Sequence, residues 1–225
     1  MKLILFDVDG ILVPAGIVKF DYWNAVIKNH FGLDIARTSI YTQGKTDREI
    51  LFELIKIAGI DNPEDDHRFI GALNEIGNIF LDIVKNEQIE KMPGVEELIK
   101  ILLNKKDIFL GLLTGNTYTK AKIKLTSCGL WKYFNIGAFG DATKVRSELV
   151  KIALEDAMNK LKINFNKEDV YLIGDTIRDI YCAREAGVKC IAVATGKESI
   201  EQLNLESPDY IFSDFNNPKE IVSVI

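Results

Sequence analysis

The stretch that decides the fold is KLILFDVDG, residues 2–10. It opens with a short apolar run, and such a run closed by turn residues indicates a buried strand. Asp7 and Asp9 follow two positions apart, and side chains i and i+2 of an extended chain lie on the same face. Open α/β sheets bind ligands at the carboxyl ends of their strands, so this spacing indicates a binding site. The alternative is that both acids are solvated turn formers ahead of Gly10.

After residue 90, strand-like and helix-like patterns alternate. Predicted strands lie at 108–113, 136–139, 170–173, 190–193 and 210–212, and predicted helices at 94–105, 117–128, 146–161 and 177–186, with a short helix on each side of the last strand. Strands that alternate with helices are typical of a doubly wound parallel sheet. The predicted fold class is therefore α/β, with a Rossmann-like sheet as its core.

Residues 15–90 show helical periodicity and no strand-like run. Three amphipathic helices are predicted, with these apolar faces: Phe20, Trp23, Val26, Ile27, His30 and Phe31; Ile50, Leu51, Leu54, Ile55 and Ala58; Ile70, Leu73, Ile76, Phe80, Leu81 and Val84. A crossover between parallel strands needs only about a dozen residues, so this longer segment is predicted to be a helical cap subdomain. Residues 1–14 and 91–225 would form the core, with linkers near 14–19 and 88–93.

Composition narrows the classes of function. The chain has 225 residues, 47% of them hydrophobic and 27% charged, as in an ordinary globular protein. Its net charge of −5 argues against a nucleic-acid or anionic-membrane partner. The three cysteines form no CxxC pair, which indicates free thiols in a reducing compartment. No apolar run approaches the ~20 residues of a membrane span. We expect a cytoplasmic monomer or homodimer.

Three of the predicted strands end in polar residues that would meet at one edge of a parallel sheet. These are Asp7 and Asp9 after the first strand, Thr114, Gly115 and Asn116 after the second, and Asp175 and Asp179 after the fourth. Four carboxylates close together repel one another unless a cation neutralises them. Oxygen ligands without His or Cys favour Mg²⁺. The second turn offers a hydroxyl and a helix N-terminus, which binds anions. A cation beside such a turn indicates phosphoryl chemistry.

Each of these features also has a purely structural interpretation. Asp179 fits a capping box with Thr176, and Asp175 fits an ordinary helix N-cap. Residues 114–116 fit a plain strand-to-helix turn. Taken together at three strand ends in this order, the residues favour a site.

These motifs resemble those of the haloacid dehalogenase-like hydrolase superfamily, and within it the phosphoglycolate-phosphatase-type phosphatases with a helical cap. The similar segments are Asp7-Val8-Asp9-Gly10, Leu113-Thr114-Gly115-Asn116 and Gly174-Asp175-Thr176-Ile177-Arg178-Asp179. The resemblance implies a Mg²⁺-dependent phosphatase that hydrolyses a small phosphorylated metabolite through an aspartyl-phosphate intermediate. A phosphomutase of the β-phosphoglucomutase type shares the same core. A non-catalytic phospho-accepting switch is a further alternative, which the inserted helices disfavour.

The resemblance also implies a role for each residue. Asp7 would be the nucleophile, and Asp9 would be the general acid and then the base. The metal ligands would be Asp7, Asp9 through its main-chain oxygen, Asp175 and Asp179, the last directly or through water. The phosphoryl oxygens would be bound by Thr114, Gly115 and Asn116.

The cation that usually precedes the last motif has two candidates here, Lys144 and Arg146. Arg146 opens the predicted helix 146–161 as the family's cation does, so we favour it for binding the phosphoryl oxygens and Asp7. Lys144 would then be a solvated loop charge.

The segment Gly44-Lys45-Thr46 resembles the end of a P-loop, but Ser39 stands where that motif requires its first glycine. A capping box over Thr46–Glu49 is the better interpretation. Similar segments line the substrate side in the resembled phosphatases, so Lys45 or Arg48 could contact substrate, although we expect both to be surface charges.

Overall fold

The computed structural model describes residues 1–17, 21–85 and 87–225. Phe20 and part of the predicted linker 14–19 lie outside these residues. The strands are β1 (Lys2–Phe6), β2 (Ile108–Thr114), β3 (Ile136–Phe139), β4 (Val170–Gly174), β5 (Lys189–Val193) and β6 (Tyr210–Phe212). The helices are α1 (Tyr22–Phe31), α2 (Asp47–Ile57), α3 (Phe69–Val84), α4 (Val95–Leu103), α5 (Tyr118–Ser127), α6 (Glu148–Leu161), α7 (Ile177–Ala186), α8 (Ile200–Leu205) and α9 (Pro218–Ser223).

In the described part of the chain, six strands form one sheet in the order β3-β2-β1-β4-β5-β6, and every pair is parallel. Leu5 of β1 lies opposite Gly111 of β2 and Leu172 of β4. Residues 3–6 are fully buried, as expected of a central strand covered on both faces. The strand order reverses at β1, which places the binding crevice at the ends of β1 and β4. The predicted α/β fold is confirmed.

Two hydrophobic clusters hold helices to the two faces of the sheet. One cluster joins Phe6 and Leu112 to α4, α5 and α9, and it continues without a break into α1, α2 and α3. The other joins Leu5 and Leu172 to α6 and α7. No helix within the described residues is long and apolar enough to cross a membrane.

The three helices between β1 and α4 correspond to the predicted cap helices, and the described residues between β1 and α4 include no further strand of the sheet. The division into a separate cap and core stays a prediction, since one cluster spans both. The predicted apolar face of α3 is wrong at Ile70 and Leu81, which are 49% and 50% exposed. The predicted positions Leu73, Ile76, Phe80 and Val84 are buried, and the face that packs against α1 and α5 extends on its other side to Phe69 and Ala72.

Two further sequence predictions differ from the structure. His30 is half-buried rather than part of the apolar face, and its Nε2 lies 2.5 Å from Glu75 Oε2 of α3. The capping box over Thr46–Glu49 is half formed. Thr46 Oγ1 accepts a hydrogen bond from the main-chain N–H of Glu49 at 3.0 Å, while the Glu49 carboxylate pairs with Arg178 at 3.2 Å.

The start of α2 docks onto the core through main-chain hydrogen bonds. The N–H of Asp47 donates to Gly115 O at 2.7 Å, and the N–H of Arg48 donates to Gly140 O at 3.0 Å. A Cβ atom on Gly115 would lie 2.2 Å from Lys45 O, so only glycine permits this approach. The docking brings the loop before α2, residues 40–46 (the α2 loop), over the end of β2.

Candidate active site

The predicted strand-end residues surround one cavity of about 200 Å³. Its lining includes Asp7, Asp9, Thr114, Gly115, Asn116, Arg146 and Asp175. The structure therefore brings together residues that are widely separated along the chain. Asp179 lies behind this lining, in the first turn of α7, and is fully buried.

Asp7 stands at the end of β1 and is 6% exposed. Its Oδ1 accepts a hydrogen bond from the N–H of Val8 at 2.7 Å, and its Oδ2 lies 3.0 Å from Arg146 Nη2. Burial raises the pKa of Asp7 to about 6, although the charge of Arg146 opposes the rise. The guanidinium therefore holds Asp7 in a fixed position and favours its ionised form.

Asp7, Asp175 and Asp179 each offer one oxygen, and these oxygens lie within 4.8 Å of one another. Asp175 Oδ1 is buried and accepts no hydrogen bond from any residue that the structure describes. Burial, followed by the charges of Asp179 and Asp7, raises the pKa of Asp175 to about 9. An orphaned buried oxygen in an all-carboxylate cluster fits a hard divalent cation.

The turn after β1 is built closely around this cluster. Gly10 has φ +82°, and a Cβ atom there would lie 2.3 Å from Asp175 Oδ2. Glycine is required on both grounds, since residues with a side chain rarely adopt this φ angle and the Asp175 carboxylate occupies the space that a Cβ atom would need. The turn therefore presses the residues after Asp7 against Asp175.

Asp179 is both the capping-box acid of α7 and a member of the carboxylate cluster, two positions that the sequence left as alternatives. Its Oδ2 accepts hydrogen bonds from Thr176 N at 3.1 Å and Thr176 Oγ1 at 2.7 Å, which completes the capping box of α7. Its Oδ1 accepts from Arg146 Nη2 at 2.7 Å and faces the site. Asp175 is not the N-cap of α7, since Thr176 takes that position.

The structure places Arg146, and not Lys144, among the carboxylates. Arg146 is 6% exposed and bridges Asp7 and Asp179. It precedes α6 by two residues instead of opening the helix, so the predicted helix start at 146 is wrong. Lys144 Nζ pairs with Glu64 at 2.7 Å and lies 4.1 Å from the centre of the Phe52 ring, away from the cavity lining.

Thr114 is fully buried at the end of β2. Its Oγ1 accepts hydrogen bonds from the main-chain N–H of Asn116 at 3.2 Å and from Asn116 Nδ2 at 2.9 Å. Among the described residues no group accepts the hydroxyl proton, so this proton can be donated into the cavity. Asn116 Nδ2 also donates to Asp9 Oδ2 at 2.8 Å, which links the ends of β1 and β2.

Sequence reasoning missed two buried lysines on α5. Lys124 Nζ donates to both carboxylate oxygens of Asp9, at 2.7 and 2.6 Å, and to Asn116 Oδ1 at 2.8 Å. Burial alone would raise the pKa of Asp9, but Lys124 and Asn116 together lower it below its usual value. Lys120 Nζ donates to Asp47 Oδ1 at 2.8 Å, and Asp47 Oδ2 accepts from the N–H of Thr117.

A weak signal for these lysines is present in the sequence. Positions 120 and 124 are one helical turn apart, and each precedes a buried apolar residue, Ala121 or Leu125. The lysines therefore border the apolar stripe of α5. The expectation that Lys45 is a surface charge is also wrong, because its side chain is 8% exposed, pairs with Glu53 and lines the cavity. Arg48 is half-buried on Glu64, outside the lining.

Comparisons with known proteins identify the family of the chain. Residues 4–193 match the family model described as haloacid dehalogenase-like hydrolase. The chain is 26% identical to a probable phosphatase, IndB of Dickeya dadantii, over 95% of this chain and 90% of that protein. It is 25% identical to the phosphorylated carbohydrates phosphatase of Thermotoga maritima, over 85% and 84%. The structure of CbbY from Rhodobacter sphaeroides is similar, with a TM-score of 0.72, 17% identity and coverage of 96% and 95%.

Proposed function

The chain belongs to the haloacid dehalogenase-like hydrolase family, and we propose that it is a Mg²⁺-dependent phosphatase acting on a small phosphorylated metabolite through an aspartyl phosphate. The observation that carries the proposal is the buried Asp7, which Arg146 positions beside two further carboxylates and the Thr114 hydroxyl. Relatives named as phosphatases, one of them for phosphorylated carbohydrates, support the same type of reaction.

The metal ligands in this proposal are the carboxylates of Asp7, Asp175 and Asp179 and the main-chain oxygen of Asp9. The orphaned Oδ1 of Asp175 supports this assignment, since a buried carboxylate oxygen without a donor is costly. When bound, Mg²⁺ supplies positive charge that stabilises the phosphoryl oxygens. The protein's own contribution is to hold the carboxylates and the substrate in fixed positions.

In the first step a carboxylate oxygen of Asp7 attacks phosphorus, and the bond from phosphorus to the ester oxygen breaks. Arg146 keeps Asp7 oriented through Nη2, and its Nη1, on the side of Gly115, donates to no described residue and is left for a phosphoryl oxygen. The Thr114 hydroxyl donates to another of these oxygens. The product is a phosphorylated Asp7 and a free alcohol.

Asp9 moves the proton in both steps of this mechanism. It gives a proton to the leaving oxygen, and it then takes one from the water that hydrolyses the phosphorylated Asp7. Its carboxylate is 32% exposed, lines the cavity and is held by Lys124 and Asn116. The negative charge of a bound phosphate ester raises the pKa of a nearby carboxyl, which favours the protonated acid when substrate is present.

The size of the cavity supports a small substrate. Its volume is about 200 Å³, and the start of α2 covers one side of it by docking on Gly115 and Gly140. Displacement of this segment would widen the entrance for substrate, and its return would reduce the access of water.

The direct test is phosphate release from an aryl phosphate by the purified protein in Mg²⁺. We expect Asp7→Asn to abolish release, because the amide is a poor nucleophile. Asp82→Asn is the matched control, since Asp82 is 79% exposed on α3 and should keep full activity. Equal activity of wild type and Asp7→Asn overturns the mechanism. Isomerised product that depends on a bisphosphate activator assigns a phosphomutase, and a stable aspartyl phosphate without turnover assigns a switch.

A further inference from the structure

A second pocket of about 120 Å³ lies beside the reaction cavity, between α1, α3 and α5. We call it the side pocket; its lining includes Tyr22, Trp23, Arg37, Phe80, Lys120 and Lys124. Asp9, Arg37 and Lys120 line both spaces, so the two are adjacent. A molecule whose phosphoryl group lies at Asp7 would reach the side pocket by extending past these shared residues.

The side pocket carries an excess of positive charge. Lys120 and Lys124 are nearly buried, and one carboxylate balances each of them, Asp47 and Asp9 respectively. Arg37 takes part in none of the ion pairs among the described residues, and its guanidinium donates only to Thr42 Oγ1, at 3.3 Å. Asp21 Oδ2 accepts a hydrogen bond from the main-chain N–H of Arg37 at 2.5 Å, but no described carboxylate forms an ion pair with the Arg37 guanidinium.

Aromatic rings form the walls behind these cations. Lys120 Nζ lies 5.5 Å from the centre of the Trp23 ring and 6.0 Å from that of Phe80. Lys124 Nζ lies 5.3 Å from the Phe80 ring centre. Aromatic groups beside the ammonium groups reduce their hydration and so strengthen their attraction for any anion that enters. The two lysines are explained by the carboxylates of Asp9 and Asp47 that they neutralise. The position of the Arg37 guanidinium at this pocket is not explained by such a pair.

We propose that the side pocket binds a second anionic group of the substrate, a carboxylate or a phosphate, through Arg37 and Lys120. The inference rests on the proposed function and specifies its substrate class, a phosphate monoester that carries another anion a few atoms from the ester oxygen. Lys124 adds positive charge while it holds Asp9. The short separation follows because residues of the two spaces are shared.

The test measures binding, without turnover, in the Asp7→Asn protein with Mg²⁺ by titration calorimetry. One ligand pair is 3-phosphoglycerate and glycerol 3-phosphate. The first carries a carboxylate where the second carries a hydroxymethyl group. A shorter pair is phosphoglycolate and 2-hydroxyethyl phosphate. A third pair, propane-1,3-diol bisphosphate and 3-hydroxypropyl phosphate, tests a second phosphate. In at least one pair we expect the anionic member to bind about tenfold tighter or more, the effect of one charged hydrogen bond. Adding Arg37→Gln should remove most of this preference.

Lys122→Gln is the matched control. Lys122 is exposed on α5, the helix that carries Lys120, so this change should leave the preference for the anionic ligand intact. Arg37→Gln is the decisive variant, since no buried carboxylate loses its partner; Lys120→Gln is a second test where it folds. Equal binding within all three pairs, or a preference that Arg37→Gln leaves unchanged, overturns the proposal. Aryl phosphate turnover by the wild type reports on the proposed function separately, so the two failures are distinguishable.

Discussion

The buried ion pair between Lys120 of α5 and Asp47 at the start of α2 gives a quantitative prediction. The two groups are 2.8 Å apart, and their side chains are 9% and 5% exposed. At an effective dielectric constant of about 20, their attraction is about 6 kcal/mol. Removing both from water costs several kcal/mol for each ion, so the net contribution of the pair is small. Removing one partner, by contrast, leaves the other buried and uncompensated.

We therefore expect Lys120→Met to lower the free energy of unfolding by about 3–5 kcal/mol, since Asp47 keeps only the N–H of Thr117 as a donor. Asp47→Asn should cost about 3 kcal/mol, because the faces of Trp23 and Phe80 partly stabilise the remaining ammonium. The double variant should cost at least 3 kcal/mol less than the sum of the two single changes.

Urea unfolding of the four proteins in this double-mutant cycle measures these differences. The exposed pair Lys28–Asp34, with side chains 62% and 73% exposed, is the control, and Lys28→Met should leave the urea midpoint unchanged. Additive single effects would refute the reasoning, as would a Lys120→Met protein as stable as the wild type.

Three other changes test the site and its enclosure. Gly115→Ala places a Cβ atom 2.2 Å from Lys45 O, so it should displace the α2 loop and increase its cleavage in limited proteolysis; unchanged cleavage would contradict the docking. Arg146→Lys should lower kcat/KM for an aryl phosphate about 10²-fold, because one ammonium cannot bridge two carboxylates and the phosphoryl group; Lys144→Met should retain activity, and the reverse pattern would exchange their roles. Asp175→Asn should raise the melting temperature in EDTA and abolish stabilisation by Mg²⁺. The folded-state pKa of Asp175 is raised from 3.8 to about 9, so between these values the carboxyl ionises in the unfolded chain but not in the folded protein, and stability falls as pH rises. The increase in melting temperature caused by Asp175→Asn should therefore grow over the same pH window. A lower melting temperature in EDTA would contradict this.

The carboxylates of the site were predictable because their arrangement follows from local rules. The apolar run of β1 and the glycine after Asp9 mark a strand and its end, and parallel strands must bring such ends to one edge. Asp7 and Asp175 are 168 residues apart, yet each is located by its own strand alone. The capping box of Asp179 with Thr176 was predictable as well, because it is a local motif.

The lysines of α5 were not predictable by the same rules. Charged residues are usually exposed, so a segment with three lysines suggests a solvated face. Lys124 is buried only because Asp9, 115 positions away, provides its counter-charge. The error at Ile70 and Leu81 has a related cause. Helix α3 is apolar at so many positions that its period permits two adjacent faces, and only packing against α1 and α5 selects one.

The docking of α2 on Gly115 and Gly140 has a consequence for how this enzyme can diverge. Two of the contacts join main-chain N–H groups to main-chain oxygens, so they depend on backbone shape, and the Asp47 side chain adds an ion pair with Lys120. Substitutions at the remaining positions of the α2 loop can therefore accumulate while these contacts are retained, provided that Gly115, Gly140, Asp47 and Lys120 are kept. Residues that contact the substrate can thus change while the contacts that hold the α2 loop on the core stay the same.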